Sequence, residues 1–235
     1  MSDRPADGPL LDRQELLTGV LFERRAASVV LRFEPAWQVL SSAVLGGGRR
    51  HARSIIHLQV PITYNCARPE RDLRDAARRL GLAGPVIGLM TAVDLGRTHV
   101  LAGWVLGGVA VRALITVGLR NPSRPGEQGS NRPGTINVIF LCEGRLRDAA
   151  ALELALLLTE AKAAALIESG LRTPAGNRAS GTSTDAVAVL WRRVNGREIR
   201  HAGAATDLGV VAGRMMQTAI DAELERRLTA GEDGT

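Results

Sequence analysis

The run TINVIFLC (residues 135–142), a short break, and then DAAALELALLLTEAKAAALIES (residues 148–169) decide how this chain is built. The first segment is an apolar run of strand length, rich in β-branched residues. The second consists almost entirely of helix formers and stops at Gly170, a residue suited to a helix C-terminus. It is apolar on nearly all sides, so burial is expected for it. A further apolar strand at Asp185–Trp191 follows, and helices covering a sheet are the natural way to bury all three.

The flanking sequence extends the pattern. Residues 11–25 read as a short amphipathic helix, with Asp12 as its cap. Ser28–Phe33 and Trp37–Ser42 read as two strands joined by a turn at Glu34-Pro35. Gly46-Gly47-Gly48 breaks the chain, and Ile55–Ile62 is the third strand. Pro69–Gly81 is an amphipathic helix. Val86–Val93, Thr98–Leu106 and Gly108–Val117 are strands, and Thr206–Leu228 is the terminal helix. Leu119–Pro133 is a long Gly/Pro/Arg/Asn loop, of a length usually tied to function or disorder. The order predicts a single α/β or α+β domain, with a mixed sheet or sheets covered by helices. It spans residues 11–228, with a disordered tail at 1–10 and a frayed one at 229–235. Strand order is not fixed by these patterns.

Composition narrows the function classes. The chain has 235 residues, 45% of them hydrophobic, enough for a substantial core. It has no apolar run long enough to span a membrane and no signal-peptide core, so a cytoplasmic protein is expected. The net charge of +6 raises the question of nucleic acid. However, the arginines alternate with acids, as in Glu70-Arg71-Asp72-Leu73-Arg74-Asp75, and aromatics are only 3%, too few for base-stacking platforms. No specific nucleic-acid partner is expected. Cys66 and Cys142 are far apart without Cys/His neighbours, which argues against a disulfide framework or a zinc site. Core packing is expected for Trp37, Trp104 and Trp191.

One residue stands out chemically. Lys162, in the apolar helix, is the only lysine, and every other basic residue is arginine. Lysine is a point charge that can exchange a proton, whereas arginine stays charged. By helix spacing Thr159 shares its face, while Glu160, two residues away, points elsewhere. Four small-residue motifs adjoin apolar elements: Gly88-Leu89-Met90-Thr91-Ala92, Thr116-Val117-Gly118-Leu119, Pro133-Gly134-Thr135-Ile136-Asn137 and Gly181-Thr182-Ser183-Thr184-Asp185. Their glycines let the backbone approach a ligand and their hydroxyls can donate, accept or attack. Asp185 opens an apolar strand, so its carboxylate must be solvated, paired or used as a base. None of His51, His57, His99 and His201 has metal-ligand spacing, and no P-loop, nucleophile elbow or dinucleotide fingerprint is present.

Taken in order with Ser42–Gly48, Val60, Tyr64, Thr159-Glu160-Ala161-Lys162, Ala202-Gly203, Thr206 and Leu208-Gly209, these motifs resemble the adenosylcobinamide amidohydrolases of corrinoid salvage. The resemblance covers residues 38–220. It implies hydrolysis of the amide joining aminopropanol to a corrin propionate side chain. Adenosylcobinamide would become adenosylcobyric acid, for cobalamin salvage or remodelling. The corrinoid would be substrate and not a catalytic cofactor; no residues are assigned as metal ligands. Two positions depart from the family pattern: His57 stands where a residue such as asparagine is expected, and Ala205 where a histidine is expected before Thr206.

The candidate catalytic residues are Lys162, Glu160, Asp185, Thr182 and Thr184. Lys162 with Glu160 or Asp185 would move protons. The attacker is water or a hydroxyl of Thr182, Ser183 or Thr184. Amides around Gly134-Thr135 or Gly181-Thr182 would hold the oxyanion. Gly47, Gly48, Thr91, Thr116, Gly134, Thr135, Asn137 and His57 are the candidates for substrate binding. A non-catalytic corrinoid-binding protein and an amidase of another substrate are the alternatives, and homo-oligomerisation stays open.

Overall fold

The structure, a computed structural model, describes residues 6–105, 107–129, 134–192 and 198–231. In chain order the elements are β1 (Leu10–Leu17), β2 (Val20–Arg25), β3 (Ser28–Ser41), β4 (Gly48–Gln59), α1 (Pro69–Arg79) and β5 (Val86–Thr91). A 3-10 turn (Leu95–Arg97) leads into β6 (His99–Val105), β7 (Val109–Val117), β8 (Pro122–Ser123), β9 (Ile136–Cys142) and β10 (Arg145–Leu146). They are followed by α2 (Asp148–Glu168), β11 (Gly181–Thr182), β12 (Ala186–Trp191), β13 (Glu198–Ile199) and α3 (Asp207–Thr229).

Nine strands form one mixed sheet along the path β1-β2-β3-β12-β9-β7-β6, with β4 on the other edge of β3 and β5 beyond β4. The pairs β4/β5 and β9/β12 are parallel. Each needs a crossover, and α1 and α2 supply them. The architecture is the expected α+β arrangement of a mixed sheet covered by helices.

Alternation along the strands divides the core. Val138, Phe140 and Cys142 of β9 face α2 and α3, where they pack with Leu154, Leu158, Met216 and Ile220. Ile139 and Leu141 point the other way, into a cluster with Leu31, Trp37, Ile55, Leu89 and Leu114. On this second face the sheet curls until β5 meets β9, and the Asn137 Nδ2 donates to the Met90 carbonyl at 2.7 Å. A third cluster under α1 joins Ile56, Leu73 and Ala76.

Four expectations are corrected. Residues 11–25 form the β1–β2 hairpin, not a helix. Its turn passes through Gly19 at φ +72°, where a Cβ would lie 2.1 Å from the Glu34 carbonyl oxygen. Glu34-Pro35 is no hairpin turn: both halves of β3 pair with β4, and the residues between Arg32 and Trp37 absorb a register shift. Helix α2 is buried on one side only, because Leu152, Leu156 and Ile167 are 52%, 60% and 43% exposed. Trp37 and Trp191 are buried, but Trp104, on edge strand β6, is 66% exposed. The expected tail at 1–10 lies partly outside the described residues; within them Ala6 is buried, its carbonyl accepting from the Ser28 hydroxyl at 2.7 Å. Of the frayed tail expected at 229–235, Thr229 ends α3 and residues 232–235 lie outside the description. No described helix is long and apolar enough to cross a membrane.

Candidate active site

The β9–α2–β12 crossover builds the centre of the site. Lys162 lies on the buried face of α2, one turn after Leu158 and one before Leu166. Asp185 immediately precedes β12. The two meet with the Lys162 Nζ 2.5 Å from the Asp185 Oδ2, their side chains 10% and 11% exposed.

The Asp185 carboxylate is held from several directions. The backbone N–H of Ile136 donates to its Oδ1 at 2.9 Å, and that of Thr182 to its Oδ2 at 2.9 Å. The Thr182 hydroxyl also donates to Oδ1. A Cβ at position 181 would lie 2.8 Å from the Asp185 Oδ2 and 3.2 Å from the Lys162 Nζ, so glycine there is what lets the pair form. Strand β11, which carries Gly181 and Thr182, pairs with β8 in the Leu119–Pro133 loop and so ties that loop to the site.

Two threonine hydroxyls tie together the backbone next to this pair. The Thr135 Oγ1 donates to the Thr184 carbonyl at 2.8 Å and lies 3.1 Å from the Asn137 Oδ1. The Thr184 hydroxyl donates to the Gly134 carbonyl at 3.2 Å. Behind Gly134, a Cβ would come within 2.9 Å of the Asn121 Cβ, and the Asn121 amide in turn donates to the Ser183 hydroxyl. On the inner face of the sheet the Asn137 Nδ2 also sits 2.9 Å from the His57 Nε2. His57 is 2% exposed, and burial pushes its imidazole down to about 3, so it is neutral near pH 7. Thr116 is the cross-strand neighbour of Asn137; its buried hydroxyl has no hydrogen-bond partner among the described residues. The buried Thr91 hydroxyl accepts from the Val93 N–H at 3.0 Å.

Two openings flank the loop. One, of about 230 Å³, is lined by Gln59, Val93, Arg97, Gly118, Arg120 and Gly134 among others. The other, of about 420 Å³, lies between Arg124, Pro125, Ile167, Arg178 and Ser180. Among the substrate-binding candidates, Gly134 lines an opening, whereas His57, Asn137, Thr116 and Thr91 are buried and line neither.

Several predicted residues lie elsewhere. Glu160 is exposed and makes no contact with Lys162, because two residues on a helix turn away from each other. Thr159 is also exposed, its hydroxyl donating to the Ala155 carbonyl at 3.0 Å. Gly47 and Gly48 stand at the start of β4, opposite Ser41, and line neither opening. The Ala205 departure lies at the other end of α2. The Ala202 N–H donates to Glu153 at 2.7 Å, and Thr206 caps α3. Lys162 is nine residues beyond Glu153, a rise of about 14 Å. Cys142 is buried, and burial pushes its thiol up to about 12. Among the described residues no three His, Cys, Asp or Glu side chains group as metal ligands. The lining residues Arg97 and Arg120, and Asn121 packed against Gly134, escaped the sequence reading. The only signal for the last two was the length of their loop.

Residues 13–232 match the family described as CbiZ, adenosylcobinamide amidohydrolase. An adenosylcobinamide amidohydrolase of Methanosarcina mazei is 32% identical over 194 residues, covering 79% of this chain and 90% of the relative. Among solved structures, the PH0078 protein of Pyrococcus horikoshii OT3 aligns over 93% of this chain and 78% of its own. The identity is 10% and the TM-score 0.45, a likeness too distant to bear on function or fold.

Proposed function

The chain belongs to the adenosylcobinamide amidohydrolase family and is an amide-cleaving enzyme, and from that premise we propose that it hydrolyses the amide between the corrin propionate side chain and the aminopropanol of adenosylcobinamide. The products are adenosylcobyric acid, for cobalamin salvage or remodelling, and free aminopropanol. The reaction is assigned to the cytoplasm. The corrinoid is substrate, and no resident cofactor is invoked.

One observation carries the chemistry: the Lys162 ammonium and the Thr182 hydroxyl share the Asp185 carboxylate. An unactivated amide needs a basic attacker, a place for the oxyanion and a proton for the leaving amine. Thr182 has its hydroxyl already directed at a carboxylate, unlike Thr184, whose hydroxyl is bonded to the Gly134 carbonyl. In the proposed sequence the Thr182 Oγ bonds to the amide carbon while its proton passes to Asp185. The oxyanion forms close to the Lys162 ammonium. The N–H of Thr182 is already bonded to Asp185, and the backbone donors assigned to the oxyanion are the Gly134–Thr135 amides. The C–N bond then breaks, with Lys162 protonating the amine and recovering a proton from Asp185. Water attacks the resulting ester as its proton passes to Asp185; the C–Oγ bond breaks, and Asp185 returns that proton to the Thr182 oxygen, giving the free acid and the starting enzyme.

Incubation of the purified protein with adenosylcobinamide, followed by mass analysis, tests the reading. Equimolar adenosylcobyric acid and aminopropanol are expected. Substrate recovered bound but uncut would replace the enzyme reading with the corrinoid-binding one.

A further inference from the structure

We propose that the opening of about 230 Å³ between the end of β7 and the last turns of α3 is an oxyanion site that takes a phosphate group. Its link to turnover rests on the function proposed above, but its chemistry does not.

Four guanidiniums line this opening, Arg97, Arg120, Arg226 and Arg227, against two carboxylates, Asp94 and Glu223. Asp94 accepts from the Gly96 N–H at 2.9 Å and holds the 3-10 turn. Glu223 is 5% exposed and is bound by Arg97 and, through two bonds of 3.0 Å, by Arg226. Burial pushes the Glu223 carboxyl up, but the hydrogen bonds from Arg226 and Arg97 outweigh it and hold it below its usual range. Glu223 is therefore a charged strut that fixes two arginines at the wall.

A strut explains Arg97 and Arg226 but not the rest of the lining. The Arg97 Nε–H is buried and has no hydrogen-bond partner among the described residues. A buried unpaired donor is costly unless something fills its place. The exposed Arg120 makes no side-chain ion pair among the described residues. The excess of cations suits an oxyanion with several acceptor oxygens, for which the guanidinium fork is well shaped. Gly118 and Gly134 also line the opening, where they bring backbone close to the occupant.

The location gives this site a role. Gly134 lines the opening and, through its carbonyl, accepts from the hydroxyl of Thr184, next to Asp185. A phosphate bound here would lie beside the leaving-group end of a substrate seated at Thr182. The occupant is either a phosphoryl group carried on the amino alcohol of the corrinoid or free phosphate, and the chemistry of recognition is the same.

The test is calorimetric titration of the full chain with inorganic phosphate at fixed ionic strength, with chloride as control. Saturable binding is expected, weakened about tenfold in Arg120→Ser and abolished in Arg120→Glu, with melting temperatures unchanged. Absence of saturable phosphate binding, or wild-type affinity in Arg120→Glu, would overturn the proposal. A KM raised by Arg120→Ser only for a corrinoid phosphorylated on its amino alcohol identifies the substrate's own group as occupant. Loss of phosphate binding with both KM values unchanged identifies free phosphate. If neither corrinoid is hydrolysed, the functional reading fails while the titration still decides the pocket.

Discussion

The Lys162 Nζ lies 2.5 Å from the Asp185 Oδ2, across the step from α2 to the start of β12. Both side chains are about nine-tenths buried, so each charge depends on the other. The pair joins this chain's sole lysine to the small-residue segment Gly181–Asp185.

Lys162→Arg keeps the charge and removes the exchangeable amine. Turnover of adenosylcobinamide is expected to fall by about 100-fold or more, with circular dichroism unchanged. Asp185→Asn leaves a buried ammonium unpaired and is expected to cost about 3 kcal/mol in denaturant unfolding as well as activity. Wild-type turnover by Lys162→Arg would remove Lys162 from the chemistry.

Gly181→Ala introduces a methyl 2.8 Å from the Asp185 Oδ2 and 3.2 Å from the Lys162 Nζ. Position 181 has no positive φ, so backbone strain adds nothing. The carboxylate or the amine must shift, and loss of kcat with little change in melting temperature is expected. Unaltered kcat would mean that the pair tolerates displacement and is not the catalytic geometry.

The imidazole of His57 is pushed down to about 3 by burial, from an ordinary value near 6.5. Its native form is therefore neutral, and the unfolded chain binds the extra proton first. This contribution to stability is complete above pH 6.5 and is lost as pH falls from there toward about 3, at about 1.4 kcal/mol per pH unit. His57→Gln should flatten that part of the stability curve, read as urea midpoints across the range. An identical slope in the variant would show that His57 is protonated in the native state.

The helices and most strands could be read from the sequence because their signals are local. The apolar run at 135–142 and the Gly170 stop each needed only nearby residues. The β1–β2 hairpin was misread because paired leucines, Leu10-Leu11 and Leu16-Leu17, satisfy a helical spacing as well as an alternating one. There the Gly19 turn decided the structure. The Lys162–Asp185 contact spans 23 residues and exists only because β9 and β12 are parallel neighbours. Helix spacing could show that Glu160 was the wrong partner for Lys162, but not which carboxylate was the right one. The arginine-lined opening was equally hidden, since it joins Arg97, Arg120 and the end of α3 across the fold.

The most direct measurement is a time course of aminopropanol and adenosylcobyric acid released from adenosylcobinamide by wild type, Thr182→Ser and Thr182→Ala. The account predicts equimolar products from wild type, partial activity in the serine variant, and a fall of about 1,000-fold or more in the alanine variant. Full activity in Thr182→Ala would contradict the assigned nucleophile, and no products from wild type would contradict the function itself.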